Sequence, residues 1–145
     1  MPPDTVVNHV GLCVGDVERS RRFYVELLGF EPDGELEPPD DPSAQLLGLD
    51  PPVGVRAVYL RRGPFRLELL AYGSRAVRRP AQERTMDEVG LTHLSFGVDD
   101  IPATCALVIE HGGEVLADTE LAGMAIMVKD PDGQLLELLP RPPAR

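Results

Sequence analysis

Two stretches of the chain carry the same rhythm of apolar and polar positions. From His9 the first reads HVGLCVGDVERSRRFYVELLGF, and from His93 the second reads HLSFGVDDIPATCALVIEHGGE. Each begins with the two-residue period of a strand. Val10, Leu12 and Val14 fall on one face against His9, Gly11 and Cys13; Leu94, Phe96 and Val98 fall opposite His93, Ser95 and Gly97. Asp16 and Asp100 follow at the same distance from their histidines and are placed to cap a helix. The helical spacing then predicts inward stripes of Val17, Ser20, Tyr24, Leu27 and Leu28 in the first copy, and of Ile101, Cys105, Val108 and Ile109 in the second. Pro102 suits a first turn. Gly29 and the pair Gly112-Gly113 are stop signals.

Further on, Leu67-Glu68-Leu69-Leu70 is repeated as Leu136-Glu137-Leu138-Leu139. The separation from histidine to glutamate is 59 residues in the first copy and 44 in the second. The Pro- and acid-rich excursion 31–52 accounts for the difference and reads as a solvated loop with a short turn at Ala44–Leu47, or as a lid over a site. Strands are expected near Val55–Arg61, Arg66–Tyr72, Met124–Val128 and Leu135–Leu139, with Asp130-Pro131-Asp132-Gly133 as the turn of the last hairpin. The whole chain, 1–145, is thus one α+β domain built from tandem duplicated βαβββ modules: module 1 over 5–72, a linker over 73–89, and module 2 over 90–140.

Composition narrows the function. The 145 residues carry 14 basic and 24 acidic side chains, a formal net charge of −10, which disfavours nucleic acid and anionic membrane surfaces as partners. A small-molecule substrate, or a metal that neutralises local charge, fits better. No apolar run is long enough for a membrane span. Two cysteines and no export signal make a reducing, cytoplasmic location the expectation. Cys105 reads as helix packing, Cys13 as a small residue lining a cavity, and His111 as a cation at a helix C-terminus. Along a strand, four residues cover about 13 Å, so Cys13 and His9 cannot share a metal.

Four residues stand out: His9, Glu68, His93 and Glu137. Any one alone would be an ordinary core or rim residue. Their equivalent places in two copies change the reading, because pseudo-two-fold symmetry would bring all four to one axis. Four convergent polar groups in a cavity are costly without a partner. Two imidazoles and two carboxylates suit one divalent ion, whether Zn, Ni, Co, Mn or Fe.

The duplication, the four positions and the segments NHVGLCVGDVERSRRFYVELLGF, GLTHLSFGVDDI and DPDGQLLELL resemble the vicinal oxygen chelate superfamily, which includes glyoxalase I, methylmalonyl-CoA epimerase, extradiol dioxygenases and fosfomycin- and bleomycin-resistance proteins. The resemblance implies a cupped, incomplete mixed β-barrel and a homodimer. It implies a glyoxalase I-like (lactoylglutathione lyase-like) lyase or isomerase that removes a proton α to a carbonyl through a metal-stabilised enediolate. Glu137 would be the base, and Glu68 the symmetric candidate for returning the proton. The alternatives are an epimerase of methylmalonyl-CoA type and a non-enzymatic binder of bleomycin-resistance type. Against the epimerase stands LAGMAIMVKDPDG, where that subfamily carries a His/Lys-bearing stretch. Ring cleavage is disfavoured because Met127 stands where those dioxygenases have tyrosine. The linker arginines Arg75, Arg78 and Arg79 are candidates to hold an anionic substrate tail, set against a second reading as solvated charge.

Overall fold

Gly11 and Cys13 face away from the packed side of the first strand, β1 (Val10–Cys13), as the alternation requires. The computed structural model describes residues 1–144. It divides into two compact units, Met1–Val77 and Arg78–Arg145.

In the first unit Asp16 accepts from the Arg19 amide at 3.0 Å and opens α1 (Val17–Arg22). The helix does not end there. It widens into a π-helical turn, Phe23–Leu27, before the chain leaves through Gly29 at φ +72°. The strands β2 (Glu31–Leu36), β3 (Val55–Arg62) and β4 (Phe65–Tyr72) follow, with α2 (Asp40–Leu47) between β2 and β3. The sheet order is β1-β4-β3-β2, with β1 parallel to β4 and the other pairs antiparallel.

The second unit repeats this plan with β5 (Leu94–Val98), α3 (Ile101–Glu110), β6 (Glu114–Leu121), β7 (Ala125–Lys129) and β8 (Leu135–Pro140). Asp100 caps α3 through the Ala103 amide, and the order β5-β8-β7-β6 matches the first sheet strand for strand. The fold is therefore α+β, two four-stranded mixed sheets in tandem βαβββ modules. Asp130 makes the β7–β8 turn: its Oδ1 accepts from the Asp132 and Gln134 amides, each at 2.9 Å. Among the described residues no helix is long and apolar enough to cross a membrane.

One face of the first sheet carries the core. Leu67 and Leu69 of β4 and Val58 and Leu60 of β3 pair across the ladder and are buried. Phe23, Tyr24 and Phe30 are buried too, their rings in edge contacts with centroids 5.3 and 5.7 Å apart. In the second sheet Ile126, Val128, Leu136 and Leu138 are buried with Val108 of α3.

Three local expectations are corrected. Phe23 is buried beside Tyr24 although the helical stripe omitted it, because the π-helical turn shifts the angular period and brings both rings inward. Ile109 is exposed, and Val108 alone of α3 is buried; a helix apolar nearly all round leaves the phase of its inner face undetermined. The excursion 31–52 is not a solvated loop. Its first part is the paired strand β2, and the rest forms α2 and a return segment that dock on the sheet. Ala44, Leu47 and Leu49 pack with Val53 and Val55 against Leu70 and Tyr72 of β4, on the face opposite the main core. Asp40 Oδ1 fastens this segment by accepting from the Val53 and Gly54 amides at 2.9 and 2.8 Å. Replacing Asp40 with Ala orphans both amides and should lower stability by about 1–3 kcal/mol, read as a reduced urea midpoint at unchanged slope.

Candidate functional site

The turn Gly63-Pro64 between β3 and β4 fixes what faces Glu68. It sets the antiparallel register so that Tyr59 lies directly across from Glu68, while the parallel pairing with β1 puts Gly11 on its other side. These three residues, His9 just before β1 and Arg66 two positions before Glu68 share the face that the main core leaves open. Gly11 has a spatial reason to lack a side chain, since a Cβ there would lie 3.4 Å from Glu68 Oε1.

Glu68 Oε1 is 3.5 Å from His9 Nε2, and Glu68 Oε2 accepts from the Tyr59 hydroxyl at 2.5 Å. His9 Nδ1 shares a hydrogen bond of 2.6 Å with Asn8 Oδ1, and Nε2 is turned toward the carboxylate. The Tyr59 ring meets His9 edge-on at 5.6 Å and lies beneath the Arg66 guanidinium at 3.9 Å. Arg66 Nε in turn donates to Asp33 Oδ2 at 2.7 Å. The hydrogen bond to Glu68, reinforced by burial, holds the Tyr59 hydroxyl above its ordinary pKa and keeps it a donor at neutral pH. Its two arginine partners, Arg66 first, hold the Asp33 carboxyl below the usual range.

The second unit presents the same pair in other company. His93 Nε2 is 3.9 Å from Glu137 Oε1, and Nδ1 shares a hydrogen bond of 2.8 Å with Thr92 Oγ1. Ser95 stands where the first unit has Gly11 and donates to Glu137 Oε1 at 2.7 Å. Met127 lies across from Glu137 in the place of Tyr59.

Imidazole nitrogen and carboxylate oxygen bind a divalent ion at about 2.0–2.2 Å, which puts two neighbouring ligands of one ion roughly 3–3.5 Å apart. The distance of 3.5 Å in the first pair lies in that range, and 3.9 Å in the second is slightly beyond it. In donor type, and in the fixing of each Nδ1 by a neighbouring side chain, both pairs fit a divalent metal. The structure brings His9 to Glu68 and His93 to Glu137; no cluster of three or more His, Cys, Asp or Glu suited to a metal forms among the described residues. The linker arginines are engaged elsewhere or exposed. Arg75 donates to the Asp50 carbonyl, Arg79 donates to the Asp132 carboxylate at 3.0 Å, and Arg78 is exposed.

Sequence reasoning missed Tyr59, Ser95, Arg66 and Asp33. The signal for Tyr59 was present: a two-residue turn at Gly63-Pro64 pairs positions whose numbers sum to 127, which places 59 against 68.

The profile of the Glyoxalase/Bleomycin resistance protein/Dioxygenase superfamily matches residues 6–138, nearly the whole chain. The protein belongs to this superfamily. Among its superfamily relatives is a probable lactoylglutathione lyase of Synechocystis sp., 28% identical over 142 residues, covering 90% of this chain and 92% of that protein. A 2-epi-5-epi-valiolone epimerase of Actinomyces sp. is 30% identical over 124 residues, covering 83% and 67%. The solved trypanothione-dependent glyoxalase I of Leishmania major is 26% identical and superposes with a TM-score of 0.67, covering 91% of this chain and 84% of that one. The superfamily's glyoxalase I-like members are thus among the relatives of this chain, at about 28% identity.

Proposed function

We propose that the protein is a divalent-metal-dependent enzyme of glyoxalase I type, acting on a small molecule with an acidic proton α to a carbonyl. The observation that carries this reading is the duplicated His–Glu pair, in which each Nε2 faces a carboxylate oxygen on the open face of its own sheet. His9 with Glu68, and His93 with Glu137, are the candidate ligands, one pair in each unit. When bound, a divalent ion draws charge from the carbonyl oxygen and stabilises the negative charge that develops as the α-proton leaves. The chain's own residues do the proton work. Glu137 and Glu68 are the carboxylates that would remove and return the proton. Relatives that bear the name lactoylglutathione lyase support a glutathione hemithioacetal as the substrate class.

Elemental analysis of protein purified without added metal or chelator tests this, with His9→Ala and His93→Ala alongside. We expect close to one Ni, Co, Mn, Zn or Fe per chain, lost from either variant, because two ligands from one pair hold an ion poorly alone. Two ions per chain in the wild type, with one lost in each variant, would mean separate ions. A wild-type protein that also refuses added metal would overturn the enzyme reading and leave a binding cavity. Epimerisation is the second reading, favoured by the Actinomyces relative. Isomerisation of a glutathione hemithioacetal, against inversion of an α-acidic acyl-CoA with no isomerisation, separates the two.

A further inference from the structure

We infer that Tyr59 is a positioning residue that fixes Glu68 as a ligand and so makes the two site carboxylates unequal. This rests on the metal reading above. The two copies of the module match strand for strand, yet they hold their glutamates differently. In the first, the hydrogen bond from Tyr59 goes to Oε2, the oxygen turned away from the histidine, and Oε1 is left facing His9 Nε2. In the second, the hydrogen bond from Ser95 goes to Oε1, the same oxygen that faces His93 Nε2. In the first arrangement the hydrogen bond and the histidine fall on different oxygens; in the second they share one.

The donors differ in their own support. Tyr59 is a rigid ring held on two sides, by the edge contact with His9 and by the Arg66 guanidinium. Arg66 is itself tied to Asp33, which Arg61 also holds, through Nη2 at 2.9 Å. A line of fixed contacts therefore runs from Asp33 through Arg66 and Tyr59 to Glu68. The second unit has none of it: Leu135 stands in the place of Arg66, and Met127, which cannot donate, in the place of Tyr59. Glu137 is also the more open of the two, its side chain 29% exposed against 12% for Glu68. Glu68 is thus pre-set to offer one oxygen beside His9, whereas Glu137 is held less tightly beside His93. Tyr59 acts through Glu68.

The test is Mn(II) binding followed by electron paramagnetic resonance on wild type, Tyr59→Phe and Ser95→Ala, with thermal unfolding of each metal-free protein. Tyr59→Phe keeps the ring and removes only the hydroxyl. We expect it to weaken Mn(II) binding by about 10- to 100-fold, the usual effect of removing an orienting partner of a ligand. Ser95→Ala, which removes the hydrogen bond on the oxygen facing His93, should weaken binding by a smaller factor than Tyr59→Phe. Asp33→Asn, which releases Arg66 from a distance, should weaken it in the same direction by a smaller factor, and it decides the matter should Tyr59→Phe unfold. Unchanged affinity in both Tyr59→Phe and Asp33→Asn, beside a wild type that binds, would overturn this inference alone. A wild type that binds no Mn(II) would overturn it together with the metal reading.

Discussion

Glu137→Gln, with Mn(II) supplied at saturation, should slow exchange of the substrate's α-proton with solvent by about 10²–10⁴-fold, the range typical of removing a general base. Gln keeps the size and the oxygen of the side chain but cannot take up a proton. Deuterium incorporation at the α-carbon of a glutathione hemithioacetal, followed by proton NMR, reads the step directly. On the proposed division of roles, Glu68→Gln under the same saturating metal should lose much less exchange, since the Tyr59 hydroxyl holds that carboxylate. Equal losses in the two variants would show that the hydrogen bonds on the two glutamates do not divide their roles.

Phe23→Ala should destabilise the protein by about 3–5 kcal/mol. Phe23 has no exposed surface, and its ring meets Tyr24 edge-on at 5.3 Å, so truncation leaves a cavity beside a buried aromatic cluster. The π-helical turn limits how far the site can collapse, since its backbone is already wound to bring two successive rings inward. Urea unfolding with far-ultraviolet circular dichroism measures the loss. A cost below about 1 kcal/mol would mean that the cluster repacks freely.

Much of this architecture was legible because the chain states it twice. His9 with His93, Asp16 with Asp100 and the repeated Leu-Glu-Leu-Leu segment fixed the module and its phase before any strand was placed. The outer strands were harder. Glu31–Leu36 and Glu114–Leu121 are edge strands with nearly continuous exposure, so neither shows the alternation by which a half-buried strand is recognised. Phe23 was hidden by the irregular turn, for a 3.6-residue period places it off the stripe that Tyr24 joins. The His–Glu pairs followed from the repeat, whereas their hydroxyl partners did not. Tyr59 and Ser95 occupy different strands in the two copies, so the internal comparison that exposed the glutamates was blind to what holds them.

The docked segment around α2 has a consequence for how this protein can change. Closing the parallel pair of the first sheet joins Val10 to Leu67 across 57 positions, while the second sheet joins Leu94 to Leu136 across 42. The added chain length raises the entropy of closure by only about 0.3 kcal/mol, because that cost grows with the logarithm of loop size. The apolar contacts of Ala44, Leu47 and Leu49 with β4 outweigh so small a term. Leu70, on which they rest, is the next residue after Glu68 on the same face of β4. A change in the length of this segment therefore costs little in closure, provided its contacts with β4 are kept. Reach along the open face would then change while His9, Glu68 and Tyr59 stay in place.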